Sequence, residues 1–353
     1  MVETLTEVKF GLESTPYPWE RISELANYVE RVGFDSFWMP DHTIGFGIRR
    51  WNALEAWTTL SALATQTTEV RLGTCVGDVY RHHPASLAQM VTTCDTISQG
   101  RVTLGVGIGE AMNLLPFGIP LEKPVGRTRE TVSLIRKLWT EDSVDYEGKY
   151  HQFEGAFLQP KPVQKPHPPI WIAANSPMTM KMVAELGDGW VPASIFPDEY
   201  AEGLQRIRKM AEKAGRDADE VEPALFTFTV VAQSHQEARR AISLPAKIYF
   251  LTRPRIPRRL GYDVTDKYDM TFKLVMEPET TKALLEEAKQ LPDEILDEAP
   301  VFFGAPEDII EAVEDYVDAG VRHFVVNFYV RPDRLKDNLK LFAEEVIPHF
   351  SQK

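Results

Sequence analysis

A chain of 353 residues, 43% apolar and without a biased tract, can bury a large core as one big α/β domain or two ordinary ones, which excludes a disordered or fibrous protein. A formal charge of −13 with scattered basic residues excludes a basic nucleic-acid-binding face and points to a small-molecule partner. Cys75 and Cys94 are the two cysteines and neither stands in a metal-ligand spacing, so no metal centre and no disulfide framework are expected.

Short apolar runs alternate with amphipathic stretches from the start of the chain, the signature of βαβ units. Val8–Leu12 reads as a strand, and 18–32, with Ile22, Leu25, Ala26, Val29 and Val32 on one face, as a helix that Gly33 ends. FDSFWM at 34–39 is the second strand, 52–67 the second helix, VRLGTCV at 70–76 the third strand, and 84–98 the third helix. RVTLGVG at 101–107 is the fourth strand, followed by a helix over 124–139. From 140 to 168, Tyr146, Tyr150, Phe153 and Phe157 give way to closely spaced prolines, which marks an excursion built as a hairpin plus an extended connector. Alternation resumes with PIWIAA at 169–174, helix 178–187, DGWVPA at 188–193, helix 199–214 and LFTFTVVA at 225–232. A second, mainly helical excursion covers 235–298 and carries the run RPRIPRR. Helix 306–318, strand HFVVNF at 323–328 and helix 333–347 close the chain.

Eight strand–helix units at this length fit a (β/α)8 TIM barrel, one domain over 1–353 with insertions after the fourth and seventh strands. A doubly wound open sheet lacks its nucleotide fingerprint, because GxGxxG starting at Gly107 meets Met112 where glycine is required.

Barrel enzymes work at the C-terminal ends of their strands. The polar residues there are Glu13 after the first strand, Asp41 and His42 after the second, Cys75, Val76 and Asp78 after the third, and Glu110 and Asn113 after the fourth. Each has a local reading as well: Asp41-His42 as a satisfied turn, Glu110 as a helix-start carboxylate, Asp78 as a solvated loop acid. Four consecutive strands delivering ionisable groups to one face favours chemistry.

GFDSFWMPDH, RLGTCV with HHPASLAQ, GRVTLGVGIGEAMN, and PIWIAANSP with ELGDGW resemble the luciferase-like superfamily over almost the whole chain. The strand-end DH and GIGEAMN resemble its coenzyme F420-dependent oxidoreductase branch. The resemblance implies hydride transfer between the deazaflavin and a small organic substrate, with His42 moving the proton of a substrate hydroxyl and Glu110 and Glu13 as further acid–base groups. It implies that Asp41 orients the His42 loop and that a cis peptide at Cys75-Val76 backs the ring, beside Asp78, Gly107, Ile108, Gly109 and Asn113. The cofactor phosphate would meet the helix N-terminus at Asn175, Ser176, Pro177, Met178 and Thr179. Ser176-Pro177 reads equally well as an ordinary N-cap with proline at N1. FMN is the alternative cofactor and would make the protein a monooxygenase; a barrel that carries cofactor without catalysis is the third reading.

Phe46 stands where the sugar-phosphate-oxidising branch has tryptophan, and ASIFPDEY has no lysine, so a phosphorylated sugar is disfavoured. Phe46, Trp51, Trp190 and Phe196 are expected to line the substrate pocket. A secondary alcohol and ketone pair fits, as does a methylene-tetrahydropterin, since KFGLE resembles the opening of the methanogen reductases. Arg253, Arg255, Arg258 and Arg259 read either as contacts to an anionic tail or as a solvated face. The resemblance implies a homodimer. With no apolar run of membrane length and no leader pattern in MVETLTEVKF, a cytoplasmic protein free of membrane and nucleic acid is expected.

Overall fold

Parallel strands covered by helices are buried on both faces, so they read as continuous apolar runs instead of alternations. Ser36–Met39 and Val102–Gly107 are buried at every position. The computed structural model describes residues 7–14, 17–45 and 53–351. Its wall consists of Lys9–Glu13, Ser36–Met39, Arg71–Thr74, Val102–Gly107, Ile170–Ile172, Gly189–Trp190, Glu222–Val231 and His323–Phe328. Each strand pairs in parallel with the next, and the eighth pairs with the first, Phe10 beside Phe324. The sheet therefore closes into the expected eight-stranded barrel, with helices outside.

Two stacked indoles fill the barrel interior. The Trp38 and Trp171 ring centroids lie 4.7 Å apart, packed with Val191, Ala224 and Val325. Glycines on the neighbouring strands make the room. A Cβ at Gly73 would come 2.5 Å from the Trp38 ring, and one at Gly189 would come 2.3 Å from the Trp171 ring. Below the indoles, Trp38 Nε1 donates to Ser36 Oγ at 2.7 Å, and Ser36 Oγ lies 2.7 Å from His323 Nε2. His323 Nδ1 lies 3.0 Å from Glu222 Oε1, and Arg71 reaches the same carboxylate at 2.9 Å. Outward-facing side chains such as Phe10 pack under the last helical segment, 5.4 Å from the Phe342 ring.

Both excursions are present. The first is an antiparallel hairpin of Val144–Glu147 with Gln152–Ala156. The second holds helices His235–Thr252, Arg255–Arg259 and Pro278–Ala288. It returns through Phe302–Gly304, a short strand absent from the sequence reading that pairs with the upper end of the seventh strand.

Several boundaries move for local reasons. The second helix is Ala56–Ala64, because the Glu55 carboxylate caps it, accepting from Trp57 N at 3.0 Å and Thr58 N at 2.7 Å. The third strand stops at Thr74, one residue before the cis peptide Cys75-Val76. Gly33, with φ +92°, ends the first helix as expected. The last helix is interrupted by a π turn at Phe342–Val346, since Pro348 has no N–H to return to the preceding turn. Among the described residues, no helix is long and apolar enough to cross a membrane.

Candidate active site

The strand ends converge on one cavity of about 790 Å³ at the C-terminal mouth of the barrel. The first four strands deliver Glu13, Asp41, His42, Cys75, Val76, Asp78, Glu110 and Asn113 to its wall. His42 Nε2 lies 3.6 Å from Glu110 Oε2, both side chains about one-fifth exposed. Glu110 is held from two further directions. Asn113 Nδ2 lies 3.5 Å from Oε2, and Arg253 Nη2, from the second excursion, lies 3.4 Å from Oε1. Asn113 also accepts from the Thr43 N–H at 3.0 Å, which ties the His42 loop to the short helix carrying Asn113.

Asp41 and Asp78 share one cation. Arg81 reaches Asp41 Oδ1 at 2.7 Å through Nη2 and donates from Nε to Asp78 Oδ2 at 3.0 Å. Asp41 Oδ2 also accepts from the Asp78 N–H at 3.2 Å. Asp78 is thus a buried, paired acid that clamps two strand-end loops together, and the reading of it as solvated is replaced. Arg81 escaped the sequence reading, although its position three residues after Asp78 was the available signal.

The third strand bulges towards the fourth at the cis Cys75-Val76 bond. Gly105 and Gly107 admit this bulge: a Cβ at Gly105 would come 1.9 Å from the Thr74 carbonyl oxygen, and one at Gly107 would come 2.7 Å from Val76 Cγ2. The glycines of VTLGVG therefore accommodate neighbouring chain instead of a dinucleotide. Gly109, at φ +85°, turns the chain so that Glu110 faces the cavity.

Burial pushes the Glu13 carboxyl up to about 8; the hydrogen bond donated by Asn327 Nδ2 opposes this and the nearby Glu110 charge adds to it. Glu13 is 6% exposed and so presents a neutral acid at neutral pH. Burial likewise holds the Cys75 thiol well above its ordinary value.

Asn175, Ser176 and Thr179 line the cavity, whereas Pro177 and Met178 do not, Met178 being 66% exposed. Ser176 and Thr179 form a capping box for Pro177–Leu186: Ser176 N donates to Thr179 Oγ1 at 3.0 Å and Thr179 N to Ser176 Oγ at 3.3 Å. The N-cap reading is therefore realised at the cavity edge.

Two expected pocket residues lie elsewhere. Trp190 is fully buried between barrel and helix, stacked on Tyr200 at 4.5 Å and donating to the Ala174 carbonyl at 2.8 Å. It faces outward because its neighbour Gly189 faces the interior against Trp171, and successive strand residues alternate. Phe196 packs among Val230, Ile242 and Phe250, with the Arg259 guanidinium 4.0 Å over its ring. Phe46 and Trp51 lie outside the described residues.

The apolar wall comes instead from Phe226, Phe228, Tyr249 and Tyr329. The Phe228 ring sits 4.6 Å from Tyr249 and 4.7 Å from Tyr329. Alternation along the seventh strand was the available signal for the two phenylalanines. The RPRIPRR run divides between wall and surface. Arg253, Arg255 and Arg258 reach the cavity. Arg255 pairs with Glu199 at 2.5 Å, Arg258 with Asp266 at 2.8 Å, and Arg259 with Asp198 at 2.6 Å.

A closed parallel barrel with an imidazole and a carboxylate facing each other at its C-terminal mouth defines a barrel enzyme. The chain belongs to the luciferase-like monooxygenase family, whose model matches residues 1–323. It is 31% identical to the 5,10-methylenetetrahydromethanopterin reductase of Archaeoglobus fulgidus over 345 residues, 97% of this chain and 99% of that protein. It is 27% identical to the phthiodiolone/phenolphthiodiolone dimycocerosates ketoreductase of Mycobacterium tuberculosis, over 90% of this chain and 89% of the relative. Among solved structures, it superimposes on the coenzyme F420 dependent tetrahydromethanopterin reductase from Methanopyrus kandleri with a TM-score of 0.84, at 26% identity, covering 98% of this chain and 99% of the other.

Proposed function

We propose that the protein is a coenzyme F420-dependent oxidoreductase that passes a hydride to or from a small organic substrate, a secondary alcohol and ketone pair or a methylene-tetrahydropterin. The observation that carries this reading is the placement of His42 Nε2 and Glu110 Oε2 3.6 Å apart on the wall of a single strand-end cavity.

The residues present fit such a cofactor. The cavity has the volume of a site for a sizeable small molecule. Gly107 leaves the space that Val76 occupies, and among the described residues the buried Asn327 Oδ1 has no partner. Val76, Gly107, Ile108 and Gly109 would support the ring, and Asn175, Ser176 and Thr179, at the N-terminal end of Pro177–Leu186, would hold the anionic tail. When bound, coenzyme F420 supplies or accepts the hydride. His42 Nε2 takes the proton of a substrate hydroxyl in the oxidising direction and returns it to the carbonyl oxygen in the reducing one. Glu110 faces His42 across the cavity wall, and Arg253 and Asn113 fix its carboxylate in place. Glu13 stays neutral beneath them and avoids a second negative charge beside Glu110. The aromatic wall and the second excursion border the same cavity as the reacting groups.

The same reading takes 1–353 as one domain, working as a homodimer in a reducing cytoplasm where Cys75 and Cys94 stay free. Light scattering tests the dimer. The activity is tested by anaerobic titration with coenzyme F420 and with FMN, followed by turnover of His42→Ala. The variant is expected to keep its cofactor affinity and to lose turnover by about 100-fold or more. Full activity in His42→Ala, or a reaction that requires oxygen and FMN, overturns the proposal.

A further inference from the structure

Asn327 is a polar residue in an otherwise apolar stretch of the eighth strand, and the fold places it beside Glu13 on the first strand. It is 6% exposed and lines the cavity, as does Glu13. Its Nδ2 donates to Glu13 Oε2, which leaves Oδ1 turned away from that carboxyl. Among the described residues, no donor reaches this buried oxygen. A buried acceptor without a partner destabilises a folded protein unless a ligand or water satisfies it. Neither packing nor proton transfer at His42 requires an amide at this position.

We propose that Asn327 and Glu13 form a hydrogen-bonding subsite that reads the edge of a cyclic amide, with Asn327 Oδ1 accepting from a ligand N–H and the Glu13 carboxyl donating to the adjacent ligand carbonyl. The subsite sits between the first and eighth strands, within the same cavity as His42 and Glu110, so its ligand edge lies beside the reacting groups. Burial keeps the Glu13 proton in place at neutral pH, and Glu13 Oε2 is already accepting from Asn327, so the acid proton is free to point at a ligand. An amide edge matches this acceptor and donor pair in both polarity and order. A simple dialkyl ketone offers no N–H to Asn327 and leaves its oxygen unsatisfied. Two sources carry the required edge: the pyrimidine ring of the deazaflavin, and a lactam-bearing heterocyclic substrate. The inference rests on the hydride-transfer reading for the presence of the cofactor and deepens it by naming what the cavity selects.

Two titrations separate the sources, each with the wild type, Asn327→Leu and Asn327→Ser, the last being small enough to avoid any clash. The first follows coenzyme F420 by fluorescence. The second uses F420-loaded protein and compares lumazine with 1,3-dimethyllumazine, in which both ring N–H groups are blocked. A loss of about tenfold in F420 affinity in both variants assigns the edge to the cofactor. A preference of about tenfold for lumazine in the wild type, erased in both variants, assigns it to the substrate. Variants that match the wild type in both titrations, with unaltered melting curves, overturn the subsite and leave water as the partner of Asn327. The hydride-transfer reading fails by turnover of His42→Ala, a separate measurement from these affinities.

Discussion

Glu13→Gln is expected to stabilise the protein by an amount that grows with pH. Glu13 is 6% exposed, and its carboxyl is raised from 4.5 to about 8 by burial, against the bond from Asn327 and with help from the Glu110 charge. A folded-state value above the unfolded one means that the native protein holds a proton the unfolded chain has released. The stabilisation tied to that proton is complete below about pH 4.5 and is lost as pH rises through about 8. The gap between 4.5 and about 8, at about 1.4 kcal/mol per pH unit, amounts to about 5 kcal/mol, of which about 3 kcal/mol is already lost at pH 7. Glutamine keeps the size and an acceptor for Asn327 Nδ2 but carries no titrating proton. Urea unfolding of both proteins at about pH 5, 7 and 9 measures the difference. The variant's advantage should be small at the lowest pH and widen by several kcal/mol towards the highest. A difference that stays flat across this range would refute the picture of a carboxyl kept neutral by burial.

Gly73→Ala places a Cβ 2.5 Å from the Trp38 ring and 2.7 Å from the Thr103 carbonyl oxygen, neither of which has room to move, so a loss of about 1–3 kcal/mol is expected in thermal melting. An unchanged melting temperature would mean that the indole pair is loosely held. Glu222→Gln should flatten the acid limb of stability: although burial pushes its carboxyl up, hydrogen bonds from His323 and Arg71 hold it at about 2, so its contribution of about 3 kcal/mol is present above 4.5 and fades as pH falls towards 2. Acid unfolding curves that superimpose for the two proteins would contradict this. Arg253→Met removes the cation 3.4 Å from Glu110 Oε1 and is expected to lower kcat/KM by about tenfold with the fold intact. Steady-state kinetics equal to those of the wild type would separate Arg253 from the reacting groups.

The sequence made one half of the site legible and hid the other. Groups next to strand ends, such as Glu13, His42 and Glu110, could be named because a parallel barrel exposes its strand ends at one mouth, so position along the repeat fixes position in space. Trp190 shows where that reasoning stops. It too stands at a strand end, yet which of two adjacent residues faces inward depends on what fills the barrel, and Gly189 yields that place to Trp171. Phe196 lies just past the same strand and is drawn into the core packed against His235–Thr252, a contact that no local pattern encodes. Arg253 and Asn327 meet Glu110 and Glu13 across sequence separations of 143 and 314 residues.

By itself the sequence determined the alternation of strands and helices, the places of the two excursions, and the ionisable groups that the first four strands carry to the barrel mouth. Those follow from periodicity and turn chemistry, which are local. Tertiary structure alone decided that Arg81 pairs Asp41 with Asp78, that the second excursion brings Arg253 to Glu110, and that Asn327 sets an oxygen with no partner among the described residues beside a neutral Glu13. The reason is physical: burial, charge pairing and hydrogen-bond satisfaction are properties of what surrounds a side chain, and closure of the barrel brings together surroundings that lie far apart along the chain.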